Sequence, residues 1–448
     1  MRVLIVSAVF PPYASIGSTR VGKAARYLVE SGHDVRVLTA DGHALPRTAR
    51  LEIDPAHVVA TRAPSLHRPS ELVQGGRAAV IEAGGRRTGA VWSLLHRVWR
   101  LWTAVAYVPD QLVLWYPFAL RAGARLIAAW RPDVILASGL PPTAYLIARA
   151  LARRAAIPWV AELRDLWVDN PIYAFPGWRR ALDRRIERSV LGDAAALVTV
   201  AEPFAATLRA RFRAPVTVVA NGYDPDDLPA GVGRPVTTPG VSVVFTGTLY
   251  PERHGHARLF EAVRGLDPDL ARDLRLVFVG RLSGEAARAA RAAGVEQVVE
   301  ALPPVPYAEA LEAQANADVL LLLTFTGEAG LGYHHAKLYE YIAARRPILV
   351  IGRPDGEAGR LIAEHGLGRV SDEPAAIAGF LAAWIAEKRA LGRIAPTPAD
   401  AAAPFTRRAQ TRRLEAVLAG AAAARTGLHE SAALGYSPPL RDVSDRQP

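Results

Sequence analysis

The chain has 448 residues, half of them apolar, which is too long for one ordinary domain and enough for two, each with its own core. It contains no cysteine, so disulfides, thiolate catalysis and Cys-ligated zinc or iron–sulfur centres are excluded, and a reducing compartment fits. The formal net charge of +11, with a pI near 10.1, favours anionic partners such as phosphorylated substrates or an anionic leaflet.

Lys23, Lys337 and Lys388 are the only lysines, so the basic excess is arginine and reads first as a compositional bias. No nucleic-acid motif or lysine tract accompanies it, and no nucleic-acid partner is expected. No secretory signal is read where Met1-Arg2 passes straight into VLIVSAVF and PPY. No apolar run reaches the ~18 residues of a membrane span. A soluble or peripheral protein is expected.

MRVLIVSA (Met1–Ala8) is a continuous apolar run of the kind buried in a parallel sheet. A loop, FPPYASIGSTR, precedes the helix VGKAARYLVESG, which Gly32 closes, and HDVRVLTA (His33–Ala40) is the second strand. This βαβ start lacks GxGxxG, so the dinucleotide fingerprint is missing. Gly17 and Ser18 instead offer backbone N–H groups near a helix N-terminus, or simply make a turn. AHVVATRA (Ala56–Ala63) carries the sheet onward. TGAVWSLLHRVWRLWTAVAYVPD then puts Trp92, Leu95, Val98, Trp99 and Trp102 on one helical stripe, with Arg86, Arg87, Arg97 and Arg100 close by. A basic helix with tryptophans suits an anionic membrane surface; the same stripe also suits a core, and both readings stay open.

DVILASG (Asp133–Gly139) is a strand leading into the helix PPTAYLIARALARRAAI. PWVAELRDLW (Pro158–Trp167) is the next strand, and it ends in Glu162, Arg164 and Asp165, where open α/β sheets bind ligands. An Arg-rich helix (Trp178–Leu191), the strand AALVTV and the helix AEPFAATLRARF follow. PVTVVANGYDPDDLPAGVGRPVTTPG is a composition break, after which strands and helices alternate again. Domains are expected over 1–212 and 213–404, with a last helix over 405–424 returning to the first domain and a disordered tail over 425–448.

The most distinctive stretch is GYHHAKLYE (Gly332–Glu340). It follows the apolar run DVLLLLTF and a glycine-rich turn, and it opens a helix ended by Pro347. Strand, glycine loop, polar helix N-terminus, helix and strand form one βαβ unit whose loop can hold an anion.

Two Rossmann-like halves joined by VVANGYDPDDL and followed by KLYEYIAARRPIL resemble the GT-B glycosyltransferases of family 4. FTGTLY (Phe245–Tyr250) is similar to that family's first donor-domain turn and VGR (Val279–Arg281) to its next strand end. LPPTAY and WVAELRDLW are similar to a bacterial branch that makes cell-surface polysaccharides. The resemblance implies an α/β fold of two parallel-sheet domains facing a central cleft. It implies a retaining transfer of a sugar from a nucleoside-diphosphate donor to a glycan or lipid-linked acceptor; the basic tryptophan helix favours a lipid-linked acceptor at the cytoplasmic face of the membrane. By the same resemblance Arg281, Lys337 and Glu340 serve catalysis. Gly247, Thr248, Arg253, Tyr333, His334, His335, Ala336 and Leu338 bind the donor, with Glu340 on its ribose. From their own positions, at a strand's carboxyl end and a helix start, Glu162, Arg164 and Asp165 with Gly17 and Ser18 are the candidates for acceptor contact. No metal or other cofactor is expected; Asp224-Pro-Asp226 has the DxD form but lies in the linker. Where the family has its first motif glutamate this chain has Gly332. Two rival readings are kept: a nucleotide-sugar epimerase of the UDP-N-acetylglucosamine 2-epimerase type, and a donor-binding subunit without activity.

Overall fold

The computed structural model describes residues 1–64, 101–170, 173, 175–250, 255–324 and 337–433. The chain forms two compact units. One comprises Met1–Val198, Arg209–Thr217 and the chain from Leu414 on; the other comprises Thr199–Leu208 and Val218–Arg413. Each contains a Rossmann-like sheet, so the fold is α/β with two parallel-sheet domains.

The first sheet has the order β3-β2-β1-β4-β5-β6-β7. Its strands are β1 (Arg2–Ser7), β2 (Asp34–Asp41), β3 (Val58–Arg62), β4 (Val134–Ser138), β5 (Trp159–Leu163), β6 (Ala196–Thr199) and β7 (Val216–Val218). β1 pairs in parallel with β2 on one side, Val3 opposite Val35, and with β4 on the other, Val3 opposite Val134. Val3, Leu4, Ile5 and Val6 are fully buried because a central parallel strand is covered on both faces, which is why the run is apolar without alternation. The helix Ile16–Glu30 starts one turn earlier than the apolar pattern suggests, since Ser15 and Ser18 form a reciprocal capping box. The helix Thr143–Ala155 has no side-chain cap of its own. Buried Asp110 accepts from the Thr143 amide at 2.6 Å and its hydroxyl at 2.8 Å, meeting that need from another segment. Arg179, fully buried, donates to the Ala104 and Pro109 carbonyls and to Asp183, and so ties the helix Gly177–Leu191 to the 104–109 segment.

The second sheet has the order β10-β9-β8-β11-β12-β13, with every pair parallel. Its strands are β8 (Val241–Thr246), β9 (Leu274–Val279), β10 (Val299–Leu302), β11 (Val319–Leu323), β12 (Ile348–Ile351) and β13 (Gly368–Ser371). One face packs Val243, Phe245, Leu276, Phe278, Leu321 and Leu349 against the helices His256–Arg264 and Pro374–Leu391; the other packs Val244, Leu320, Leu322 and Val350 against Lys337–Ala344. In both sheets the strand order reverses beside the first strand, between β1 and β4 and between β8 and β11. That is the switch point where the loops beyond the strand ends part and leave room for a ligand.

Three features differ from the sequence reading. β7 belongs to the first sheet although it lies past residue 212. β13 and the helix Pro374–Leu391 are not anticipated: the strand GRVS is short, half-exposed and at the sheet edge, so it carries little apolar signal. The last helix, Arg407–Ala433, continues past 424 into the stretch expected to be without structure. Its Glu415 meets His33 at 2.8 Å within the first unit.

Candidate active site

In the second unit, three elements meet at the carboxyl ends of β8 and β9. Gly247 leaves β8 at φ +122° and Gly280 leaves β9 at φ +135°, a region side chains rarely adopt. A Cβ on Gly280 would lie 2.2 Å from the Gly247 carbonyl oxygen, so the two turns approach backbone to backbone. The helix Lys337–Ala344 contributes the cation: Lys337 Nζ donates to the Thr246 carbonyl at 2.8 Å and stands 4.1 Å from the Phe245 ring centre. A Cβ on Gly247 would come within 2.7 Å of Nζ, so glycine there is what lets the ammonium sit over the turn. Burial pulls the Lys337 pKa down to about 8, although Glu340 favours its charge.

Glu340, one turn further along the same helix, accepts from the Tyr307 hydroxyl at 3.2 Å and the Gln314 amide at 3.4 Å. Gln314 also donates to the Thr246 hydroxyl at 2.9 Å, and among the described residues its own buried carbonyl oxygen has no partner. Burial raises the Glu340 pKa; the Gln314 hydrogen bond, Arg407, Tyr307 and Lys337 all work against that rise. The result is a carboxylate and an ammonium held near a glycine turn, with an unused amide oxygen beside them. Such a set can take hydroxyl donors on one side and an anion on the other. Tyr307 and Gln314 escape the sequence reading. Their spacing of seven on one helix face, with a buried amide among Leu311 and Ala315, is the signal that marks them.

The other residues expected here are placed unevenly. Thr248 is half-buried on the turn, and Arg281 is exposed after β9. Leu338 is a core residue packed with Leu320 and Val350, so its side chain does not face a ligand. Arg253, Gly332, Tyr333, His334, His335 and Ala336 lie outside the described residues. Asp224 is buried and caps the turn Pro225–Asp227 by accepting from the Asp226 amide at 3.1 Å, which gives the DxD string a structural reason.

In the first unit, Glu162, Arg164, Gly17 and Gly139 gather at the switch point between β1 and β4. Glu162 is buried, and Oε1 takes both Arg20 Nε at 3.0 Å and Nη2 at 2.7 Å while Oε2 accepts from the Ser138 hydroxyl. Burial alone would raise its pKa, but Arg20, Arg164 and Ser138 outweigh burial and hold it below the usual range. Glu162 is therefore occupied within the protein rather than turned toward a ligand. Ser18 is likewise occupied: its amide and hydroxyl bond Ser15, and the hydroxyl also donates to the Tyr13 carbonyl at 2.5 Å. Asp165 is exposed. Of the tryptophan stripe, Trp92–Arg100 lies outside the described residues. Beyond it, Leu101, Trp102 and Val105 are 61%, 45% and 62% exposed, more than a core stripe would leave. No helix among the described residues is long and apolar enough to cross a membrane.

Residues 17–222 match the family described as "Glycosyl transferase 4-like domain", and residues 240–385 match "Glycosyl transferases group 1". No curated protein matches the chain. Among solved structures it is similar to HepE from Anabaena in complex with UDP and glucose, at 15% identity and a TM-score of 0.58 over 94% of this chain and 100% of that one. It is also similar to the sucrose-phosphate synthase of Thermosynechococcus elongatus, at 14% identity and 0.57 over 97% and 100%. A lipopolysaccharide outer core galactosyltransferase, WaaB, matches at 12% and 0.57 over 94% and 99%. At such identities these likenesses show the fold.

Proposed function

From the premise that the chain is a glycosyltransferase of GT-B fold, with a transferase 4-like first domain and a group 1 second domain, we propose that it is a retaining enzyme of polysaccharide synthesis. It takes a sugar from a nucleoside-diphosphate donor held by the second domain and delivers it to a glycan or lipid-linked acceptor held by the first. The observation that carries the donor side is Lys337 Nζ standing over the Gly247 turn with Glu340 one helical turn away. The leaving diphosphate gains charge as the glycosidic bond breaks. Lys337, desolvated and close to the turn, stabilises that charge more than a solvated lysine does. Glu340 accepts the ribose hydroxyls, each charge-assisted hydrogen bond contributing about 1.5–3 kcal/mol. The chemistry rests on positioning and charge stabilisation without a protein nucleophile. With the cation supplied by Lys337, no metal is assigned a role.

The exposed Leu101, Trp102 and Val105, continuing a sequence rich in Trp and Arg, support a peripheral position on an anionic cytoplasmic leaflet. Co-sedimentation with anionic vesicles at low salt, weakened by Trp102→Ala with Val105→Ser, tests it; unchanged binding of the double variant removes this face from the membrane.

Thermal-shift screening with UDP-, GDP- and dTDP-sugars identifies the base, since a donor at a hundredfold excess over its dissociation constant stabilises by about 2.7 kcal/mol. Turnover of the donor found this way is expected to disappear in Glu340→Ala. The epimerase reading is disfavoured because both matched families are glycosyl transferases. It would be revived by conversion of the donor's sugar with no nucleoside diphosphate released.

A further inference from the structure

Of the 54 lysines and arginines in the chain only three are lysines, and the structure treats one of them unlike the other two. Lys23 and Lys388 are buried and each is locked to a carboxylate. Lys23 Nζ meets Glu52 at 2.9 Å; Lys388 Nζ meets Asp318, which also accepts from the Ser242 amide and hydroxyl at 3.0 Å each. Lys337 is half-buried, and among the described residues its ammonium makes no ion pair. It donates to an uncharged group, the Thr246 carbonyl, and lies over the Phe245 ring. Glu340 is the charged group that acts on it, from beyond ion-pair distance.

The difference decides which amine can react. An ammonium held against a carboxylate keeps its proton and has no lone pair to offer, whereas a desolvated amine with no such partner gives its proton up more easily. With the Lys337 pKa brought down to about 8, about a tenth of it is neutral at pH 7, roughly 300-fold more than for a lysine at the ordinary 10.5. A weaker base is also a weaker nucleophile, which offsets part of that gain. The remaining protonated fraction is a cation without a paired carboxylate, beside the two glycine turns at 247 and 280, and it draws an anionic reagent to the amine.

We propose that Lys337 is a modification site, where an acyl phosphate transfers its acyl group to Nζ and the acylated protein no longer holds its donor. The amine nitrogen attacks the carbonyl carbon and forms the C–N bond. The carbon–oxygen bond to phosphorus breaks, inorganic phosphate leaves, and the nitrogen releases one proton to solvent. The product is an uncharged amide. It has no room in the amine's place, since even a Cβ on Gly247 would lie 2.7 Å from Nζ, so the acylated side chain has to leave the turn. The reactivity stands on the surroundings of Lys337; the loss of donor binding rests on the reading of this turn as the seat of the diphosphate.

The test treats the full chain with acetyl phosphate, and separately with the uncharged acyl donor p-nitrophenyl acetate, across pH 7 to 9. Each reaction is run with and without saturating UDP, GDP or dTDP, whichever raises the melting temperature most. Peptide mass spectrometry reads the occupancy of each lysine, and calorimetry reads nucleotide affinity. Lys337 is expected to acetylate at least about 10-fold faster than Lys23 or Lys388, at a rate that levels off above pH 8. Its lead should be larger with acetyl phosphate than with the ester, and the nucleotide should suppress it. Nucleotide binding should fall in proportion to Lys337 acetylation, and Lys337→Arg should lack the fast reaction. The proposal is overturned if Lys337 reacts no faster than the other two lysines, or if the ester shows the same lead. It is also overturned if protein acetylated at Lys337 binds nucleotide undiminished. Failure of the donor-site reading shows separately, as untreated protein that binds no nucleoside diphosphate while the fast acetylation of Lys337 persists unprotected.

Discussion

Replacing Lys337 by methionine should stabilise the free protein and cripple its nucleotide binding. Burial lowers the Lys337 pKa from 10.5 to about 8, a drop worth roughly 3 kcal/mol of cost to the folded state at neutral pH. Methionine, one atom shorter, keeps most of the apolar stem while removing that cost. It also removes the hydrogen bond to the Thr246 carbonyl, which returns about 1 kcal/mol. The net gain is on the order of 1–2 kcal/mol, or a Tm rise of roughly 2–8 °C. The sign with pH follows from the same pKa. Between about 8 and 10.5 the unfolded chain holds the proton and the folded one does not, so wild-type stability climbs through that window. K337M should lack this component of the climb. A bound diphosphate favours the protonated lysine, so wild-type nucleotide affinity should fall by up to about tenfold per pH unit above 8. K337M should bind about 10- to 100-fold more weakly at pH 7 and show no such fall. Differential scanning fluorimetry and calorimetry across pH 7 to 10 measure both. A variant that melts below wild type and binds nucleotide normally would refute the placement of Lys337 on the diphosphate.

Gly280→Ala should lower stability by about 1–3 kcal/mol and abolish donor binding, because φ +135° and the Gly247 carbonyl both exclude a methyl group there; the melting curve and a nucleotide titration report it. Gln314→Leu should reduce donor affinity roughly tenfold, by removing a hydrogen bond to Glu340 and the free amide oxygen, with Gln314→Glu failing to restore it. Burial raises the Glu187 pKa to about 7, so the native state holds a proton that the unfolded chain loses above about 4.5, and stability falls as pH rises between those values. Glu187→Gln should therefore raise Tm at pH 8 and leave it nearly unchanged at pH 5. Equal shifts at both pH values would show that ionisation is not the cause.

The central strands are legible because a strand covered on both faces must be largely apolar: β11 and β12 read that way throughout, and β1, β8 and β9 do so after Arg2, Ser242 and Arg275 near their starts. β13 is not, since an edge strand of four half-exposed residues needs no such run. The site is legible in outline only. The spacing of two in Glu162-Leu163-Arg164 puts both charges on one side of the strand end, but nothing local tells that Arg20, 142 positions away, claims the glutamate. Ser18 looks like a ligand for the same reason: a serine at the fourth place of a capping box is indistinguishable in sequence from one offered to a substrate. Lys337 shows the opposite case. A helix-start lysine is ordinarily solvated, and its burial depends on Gly247 having no side chain, a contact between residues far apart in the chain.

The most direct test of the account is donor consumption followed by phosphorus and proton NMR. The full chain is incubated with the nucleotide-sugar that stabilises it most, with and without a membrane-lipid extract as acceptor. Release of nucleoside diphosphate, accelerated by the extract, lost in Glu340→Ala and accompanied by a glycosidic product of unchanged anomeric configuration, is the predicted result. A changed sugar still attached to its nucleotide, or no consumption of any stabilising donor with any acceptor fraction, would contradict it.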